Sequence, residues 1–249
     1  MNNSIFITVR TGSTRLPSKA LLQVGNKSTI ECLIDRVKRS SHKDNIVLCT
    51  TELPEDDILC ELARKNEILF CRGSTEDKLE RWLKACNEYS VDFFVTADGD
   101  DLFCDPELID KAFEQYRNTG ADFIQATGIV CGAFTYGIKA EALRKVCEIK
   151  DTTDTEMMWV YFTDTGMFNI EELKNVDPIY YRDDIRMTLD YADDLEFFRT
   201  IIEHFGDKGF SLGDIIQYLD DNPKIKDINF YLHEEWSQNQ KDKTRLAIR

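Results

Sequence analysis

The feature that most constrains this 249-residue chain is the repeated alternation of short apolar runs with amphipathic segments in its first hundred residues. Ser4 to Val9 is an apolar, β-branched run that stops at a loop containing Gly and Pro, as a buried strand does. Thr29 to Arg39 then sets Ile30, Leu33, Ile34 and Val37 at the i, i+3, i+4, i+7 spacing of a helix, with Thr29 as its cap. Asn45 to Thr51 reads as the second strand. Pro54 to Lys65 reads as a helix whose acidic first turn (Glu55, Asp56, Asp57) suits the positive end of the dipole. Ile68 to Cys71, Thr75 to Ser90 and Asp92 to Ala97 continue as strand, helix and strand. Such alternation predicts an α/β fold with a mainly parallel sheet and right-handed crossovers, in which ligands sit beyond the carboxyl ends of the strands.

Farther along, Pro106 to Thr119 is helical and Asp122 to Thr127 a strand. Leu195 to Phe205 and Ser211 to Leu219 are helical, the second capped by Ser211 and stopped at Asn222-Pro223. Between them the periodicity lapses, so residues 128–186 are read as an insertion, an acceptor or dimerisation region, on a single domain spanning 1–249. The last ten residues are polar and basic and are expected to fray.

Composition narrows the partners. The formal charge of -15 disfavours nucleic acid, whose binding rests on neutralising phosphates with Lys and Arg. No apolar run approaches the roughly 18 residues of a membrane span, and the first residues lack the pattern of a secretory signal. A cytoplasmic chain without membrane contact is therefore expected. The eight cysteines form no C-x-x-C pair and read as reduced core thiols. His42, His204 and His233 lie far apart, so no zinc site is expected.

Against this acidic background Arg10, Arg15 and Lys19 reverse the sign of charge within ten residues. The same loop carries Gly12, Ser13 and Thr14, whose backbone and hydroxyl donors approach phosphates closely, so it is a candidate triphosphate site. The alternative is a solvated basic turn. Asp98, Asp100 and Asp101 crowd the end of another apolar strand, where mutual repulsion calls for a cation, magnesium above all. Taken singly, each is also an ordinary cap or loop residue.

The order of residues adds a resemblance. Arg10-x-Gly12-Ser13-Thr14-Arg15-Leu16-Pro17-x-Lys19-Ala20-Leu21 resembles the signature of the cytidylyltransferases that include CMP-Kdo synthetase, CMP-sialic acid synthetase and the spore coat polysaccharide enzymes. The likeness continues through Arg36-Val37, Thr50-Thr51, Asp56-Asp57, Arg72-Gly73-Ser74, Gly99-Asp100, Asp105-Pro106 and Arg186 to Leu195. It reaches Ser211 to Pro223 and Ile228-Asn229, where the spore coat branch is closest. The resemblance implies a Rossmann-like nucleotidyltransferase of the glycosyltransferase A type, in which CMP passes from CTP to an acidic sugar, sugar-like, phosphate or phosphonate acceptor. By the same resemblance, Arg10, Arg15 and Lys19 hold the triphosphate with Gly12 and Ser13, and Arg15, Lys19 and Asp100 are catalytic. Arg72 and Ser74 lie near the base, with Thr50 a further candidate for its edge, and Arg72 has the alternative of a surface cation. Asp100 and Asp190 bind Mg²⁺. A homodimer is common among such enzymes.

The middle segment departs from the pattern. Where spore coat relatives carry acidic residues facing the acceptor, this chain has Phe134 and Tyr136, and of the later motif only Glu156 survives. The aromatics Phe134, Tyr136 and Trp159 line an altered acceptor pocket in one reading and serve the core or a dimer contact in the other, while Tyr136 and Glu156 are the candidate substrate-binding residues of this segment. Three other readings stay open at this point: a sugar-1-phosphate nucleotidyltransferase, a nucleotide-sugar glycosyltransferase, and a catalytically silent nucleotide-binding subunit.

Overall fold

The computed structural model describes residues 2–206 and 209–249. In chain order its elements begin with β1 (Asn3–Thr8), the hairpin strands β2 (Gln23–Val24) and β3 (Lys27–Ser28), α1 (Thr29–Val37), β4 (Ile46–Thr51) and α2 (Asp57–Lys65). They continue with β5 (Leu69–Gly73), α3 (Lys78–Tyr89), β6 (Phe93–Asp98), α4 (Pro106–Thr119), β7 (Phe123–Gln125), β8 (Gly137–Lys139) and α5 (Ala140–Ile149). The remainder comprises α6 (Val160–Thr163), β9 (Ile170–Glu172), α7 (Ala192–Phe205), α8 (Leu212–Asp221), α9 (Pro223–Phe230) and α10 (His233–Lys243).

Seven strands form one sheet in the order β5-β4-β1-β6-β8-β7-β9. Only β8 runs antiparallel to its neighbours, β6 and β7, so the sheet is mainly parallel. Both faces are covered, as parallel sheets require. On β1, Ile5 and Ile7 join a core with Leu33 of α1, Leu59 of α2 and Ile109 of α4. Phe6, pointing the other way, joins a second core with Trp82 of α3, Leu143 of α5 and Phe162.

The chain leaves β1 toward β4 and β5 on one side, then returns through α3 to place β6 on the other side of β1. The topological switch therefore falls between β1 and β6, where Thr8 pairs with Asp98. The loop after β1 and the acidic loop after β6 leave the sheet side by side at the edge where such folds bind ligands.

Several elements differ from expectation for identifiable reasons. Ser28, rather than Thr29, caps α1 in a capping box with Glu31. The helix expected from Thr75 begins at Lys78, because the Asp77 carboxylate accepts from the Glu80 N–H and caps it there. Residues 128–186 deliver β8 to the middle of the sheet and β9 to its edge. Three-residue strands are too short to show a period, which is why that stretch looked irregular. The C-terminal residues are tied down instead of frayed, through an antiparallel bridge between Lys150 and Ile248 and a bond from Arg249 N–H to Ile149 C=O at 2.9 Å. All eight cysteines are free thiols. Among the described residues no helix is long and apolar enough to cross a membrane.

Glu31 does more than close its own capping box, since Lys65 at the end of α2 donates to it at 2.7 Å. Burial works against the Glu31 carboxylate, but Lys65 and the Ser28 N–H and hydroxyl outweigh it and hold its pKa at about 2. A pKa lowered by folding stabilises above the unfolded value of about 4.3 and is lost as pH falls through the folded one. Glu31→Gln is therefore expected to lower stability by about 1 kcal/mol at neutral pH. In urea denaturation the gap to wild type should close as pH drops from about 4 toward 2, and a gap constant with pH would reject the assignment.

Candidate active site

The loop after β1 is held at both ends. At its start, the buried Asp56 carboxylate accepts from the Thr11 N–H at 2.7 Å and the Thr11 hydroxyl at 2.6 Å, and also from the Thr51 hydroxyl. The residue read as part of an acidic helical turn is thus the anchor of the basic loop. At its end, Ser18 adopts a left-handed conformation (φ 51°), which turns the chain into a short helical turn over Lys19–Leu21. Such a conformation is uncommon for a residue with a Cβ and is held only where the surroundings enforce it. Here the Thr29 hydroxyl on α1 donates to the Lys19 carbonyl at 2.5 Å.

The opposing carboxylates come from two places. Asp100 follows β6, and Asp190 ends an extended segment that runs beside it. That segment is registered by bonds from Met187 N–H to Cys131 C=O and from Leu189 N–H to Asp100 C=O, each 2.9 Å. Gly132 sits in the same seam at φ +86°, where a Cβ would come within 2.0 Å of the Met187 carbonyl oxygen, so no side chain fits there.

The loop and the carboxylates meet at Lys19. Its Nζ lies 2.7 Å from Asp100 Oδ2 and 2.8 Å from Asp190 Oδ1, while Arg15 Nη2 reaches the same Asp190 oxygen at 2.8 Å. Burial opposes the charge on Lys19, yet the two carboxylates outweigh it and raise its pKa above that of an ordinary lysine. Burial likewise opposes the charge on Asp190, but Lys19 and Arg15 lower its pKa. Asp100 shifts the other way, because burial and the neighbouring Asp190 and Asp98 outweigh Lys19. Asp101 is raised well above the usual range by burial and by Asp100 and Asp98. Asp98 itself pairs with Lys78 at 2.9 Å.

Behind Asp190 lies a fully buried ion pair that sequence reading did not single out. Arg186 makes two hydrogen bonds to Asp194, and the Asp194 carboxylate accepts from the N–H groups of Asp190 and Tyr191 at 2.7 and 2.8 Å. Asn229 on α9 donates to both Asp194 and the Arg186 carbonyl at 3.0 Å. The Arg186 guanidinium lies 5.5 Å from each of the rings of Tyr191 and Trp236, within cation–π range. Trp236 on α10 donates its indole N–H to Asp190 Oδ2 at 2.8 Å, leaving Oδ1 to Lys19 and Arg15. A charged tail gives no sequence signal for that contact.

Arg15, Lys19, Asp100, Asp190 and Trp236 line a cleft of about 1220 Å³, which also takes in Arg10, Gly12, Ser13, Tyr136, Glu156 and Trp159. Three expected base contacts do not line it. Thr50 is completely buried on β4. Arg72 is spent on the Thr51 and Leu53 carbonyls at 2.9 and 2.8 Å and on Asp57, which makes it a brace between β4 and α2. The Ser74 hydroxyl accepts from the Asp77 N–H at 3.1 Å at the start of α3.

A doubly covered parallel sheet, with a cationic loop facing carboxylates at its switch point, has the architecture of a nucleotidyltransferase. The sequence pattern of the family described as cytidylyltransferase matches residues 5–230, and the chain belongs to that family as a CTP-dependent nucleotidyltransferase. It is 27% identical over 232 residues to the spore coat polysaccharide biosynthesis protein SpsF of Bacillus subtilis, covering 90% of this chain and 96% of that one. It is 32% identical over 226 residues to an uncharacterized protein of Methanocaldococcus jannaschii, covering 90% and 92%. Among solved structures, a cytidylyltransferase from Leptospira borgpetersenii superposes with a TM-score of 0.83 at 28% identity, covering 90% and 96%.

Removing one member of a buried pair strands the other charge, at a cost of about 3 to 5 kcal/mol. Asp194→Ala is expected to lose that much in urea denaturation, since both side chains are fully buried. A loss below about 1 kcal/mol would mean that Arg186 finds another partner.

Proposed function

We propose that this chain transfers CMP from CTP to a small anionic acceptor with release of pyrophosphate, as a step in building cell-surface glycoconjugates. The acceptor is an acidic sugar, a sugar-like molecule, or a phosphate or phosphonate. The observation that carries the reading is the meeting of Lys19 and Arg15 with Asp100 and Asp190 at the β1/β6 switch point. An acceptor oxygen attacks the α-phosphorus of CTP in line, the bond to the bridging oxygen breaks, and the electron pair leaves with pyrophosphate. Catalysis is then chiefly positioning and neutralisation of charge.

The cationic loop supplies that neutralisation on the side of the leaving group. In the free protein Lys19 satisfies two carboxylates, and an incoming triphosphate offers Lys19 and Arg15 anionic oxygens of higher charge. Arg10, at the mouth of the loop, is 3.8 Å from Glu156 and 3.2 Å from the Thr75 carbonyl, at the junction of the loop and the acceptor side.

The oxygen chemistry of Asp100 and Asp190 suits Mg²⁺, which binds through one or two carboxylates with substrate phosphates and water. Among the described residues no group of three or more His, Cys, Asp and Glu side chains is arranged to hold a metal. When bound, the ion would add positive charge at the phosphate oxygens.

Lys19→Ala is expected to lower kcat by about 10²-fold or more in a pyrophosphate-release assay, and undiminished release by a folded variant rejects its role. CTP with Mg²⁺ should protect the protein from thermal unfolding by about 2.7 kcal/mol at a hundredfold excess over Kd. Equal protection by ATP, GTP and UTP would rule out a preference for cytidine.

A further inference from the structure

The family match ends at residue 230, yet the chain continues into α10, and this last helix forms a wall of the cleft. It contributes Trp236, Ser237, Gln240, Lys241 and Lys243 to the lining. Steps of three and four residues bring these side chains to one face of a helix. No residue of α10 is buried, so the helix is not held in place by packing an apolar stripe into a core.

It is held by its ends instead. Just before it, Asn229 is fully buried and bonded to Arg186 and Asp194. Just after it, the Asp151 N–H donates to the Ala247 carbonyl at 2.8 Å and Ile248 bridges to Lys150. Lys150 in turn pairs with Asp77, whose carboxylate also takes the Thr155 hydroxyl at 2.9 Å. The strap thus ties the segment carrying Asp190 to the segment carrying Glu156. A polar helix anchored at both ends across a cleft is explained by what it faces.

What it presents is positive charge. Lys243 lies 3.9 Å from one oxygen of Glu156, whose other oxygen lies 3.8 Å from Arg10. Lys241 lines the cleft and has no ion-pair partner among the described residues. In a chain of net charge -15, two cations aimed into a cleft from a helix without a buried residue fit an anionic ligand. Glu156, between Arg10 and Lys243, is an acceptor for hydroxyl protons.

We propose that α10 is the acceptor-selecting wall of this enzyme. Lys241 and Lys243 receive the anionic group of a polyhydroxylated acceptor, Glu156 takes one of its hydroxyls, and Trp236 is a positioning residue that couples the wall to Asp190. This rests on the reading of the chain as a cytidylyltransferase acting on an anionic acceptor. Carboxylate and phosphate share the chemistry the two lysines recognise, and acceptors of both kinds distinguish them.

The experiment measures pyrophosphate release with CTP and Mg²⁺ against acidic sugars, sugar phosphates and neutral sugars, alongside protection from thermal unfolding by CTP alone. In K241E/K243E the KM for anionic acceptors should rise about tenfold or more, the scale of one charge-assisted hydrogen bond, while CTP protection stays intact. K241Q/K243Q, melting at the wild-type temperature, should move KM in the same direction and so exclude a folding defect. Trp236→Phe should lower kcat with little change in acceptor KM. An unchanged KM in both lysine variants overturns the wall, as does a wild-type enzyme that uses only neutral sugars. Loss of CTP protection reassigns the lysines to the triphosphate and likewise overturns it. A wild-type enzyme that binds CTP yet releases no pyrophosphate with any acceptor refutes the reaction itself.

Discussion

A single ammonium group ties together three distant stretches of this chain. Lys19 belongs to the loop after β1, Asp100 to the loop after β6, and Asp190 to a segment that arrives ninety residues later. Two carboxylates this close to one point repel each other strongly in a buried setting, and neither position is tenable without a cation between them. The lysine is therefore both a structural clamp and the counter-charge of two carboxylates. An ammonium serves this double purpose better than a guanidinium, because it is a compact point charge on a flexible stem that can change partners without a planar geometry to satisfy.

A second layer of buried bonds stands behind Asp190. Asp194 fixes the backbone of Asp190 and Tyr191, Arg186 neutralises Asp194, and Asn229 donates to Asp194 and to the Arg186 carbonyl. A buried ion pair adds little net stability, since desolvation offsets most of its attraction. Its value here is positional, because it fixes the backbone that carries Asp190. The indole of Trp236 on the second Asp190 oxygen serves the same end from the opposite side.

The legible parts of the sequence were those whose physics is local. Strand runs such as Ile5 to Thr8 and helix faces such as Ile30, Leu33, Ile34 and Val37 carry their own period, and they predicted a parallel sheet. The cationic loop announced itself by reversing the charge of an acidic chain. What could not be read depends on contacts across long separations. β8 is three residues long and enters the sheet only because β6 and β7 leave a slot for it. Asp56 looked like a helix-dipole residue and is instead a buried acceptor for Thr11, forty-five positions away. α10 has no apolar stripe, so nothing in its sequence marks the side that faces the cleft.

The placement of Thr50, Arg72 and Ser74 shows where motif reading and geometry part company. All three lie near the carboxyl ends of β4 and β5, the edge at which ligands gather in such sheets. Yet β4 and β5 stand away from the switch point, and the Arg72 guanidinium and Ser74 hydroxyl are bonded locally. The Arg72 guanidinium satisfies two carbonyls and a carboxylate with its fork of donors. Two of those acceptors are neutral carbonyls and the third is a carboxylate, so the fork of donors is already occupied. Gly12, Ser13 and Arg81 do line the cleft, and Arg81 donates to the Ser74 carbonyl at 2.7 Å.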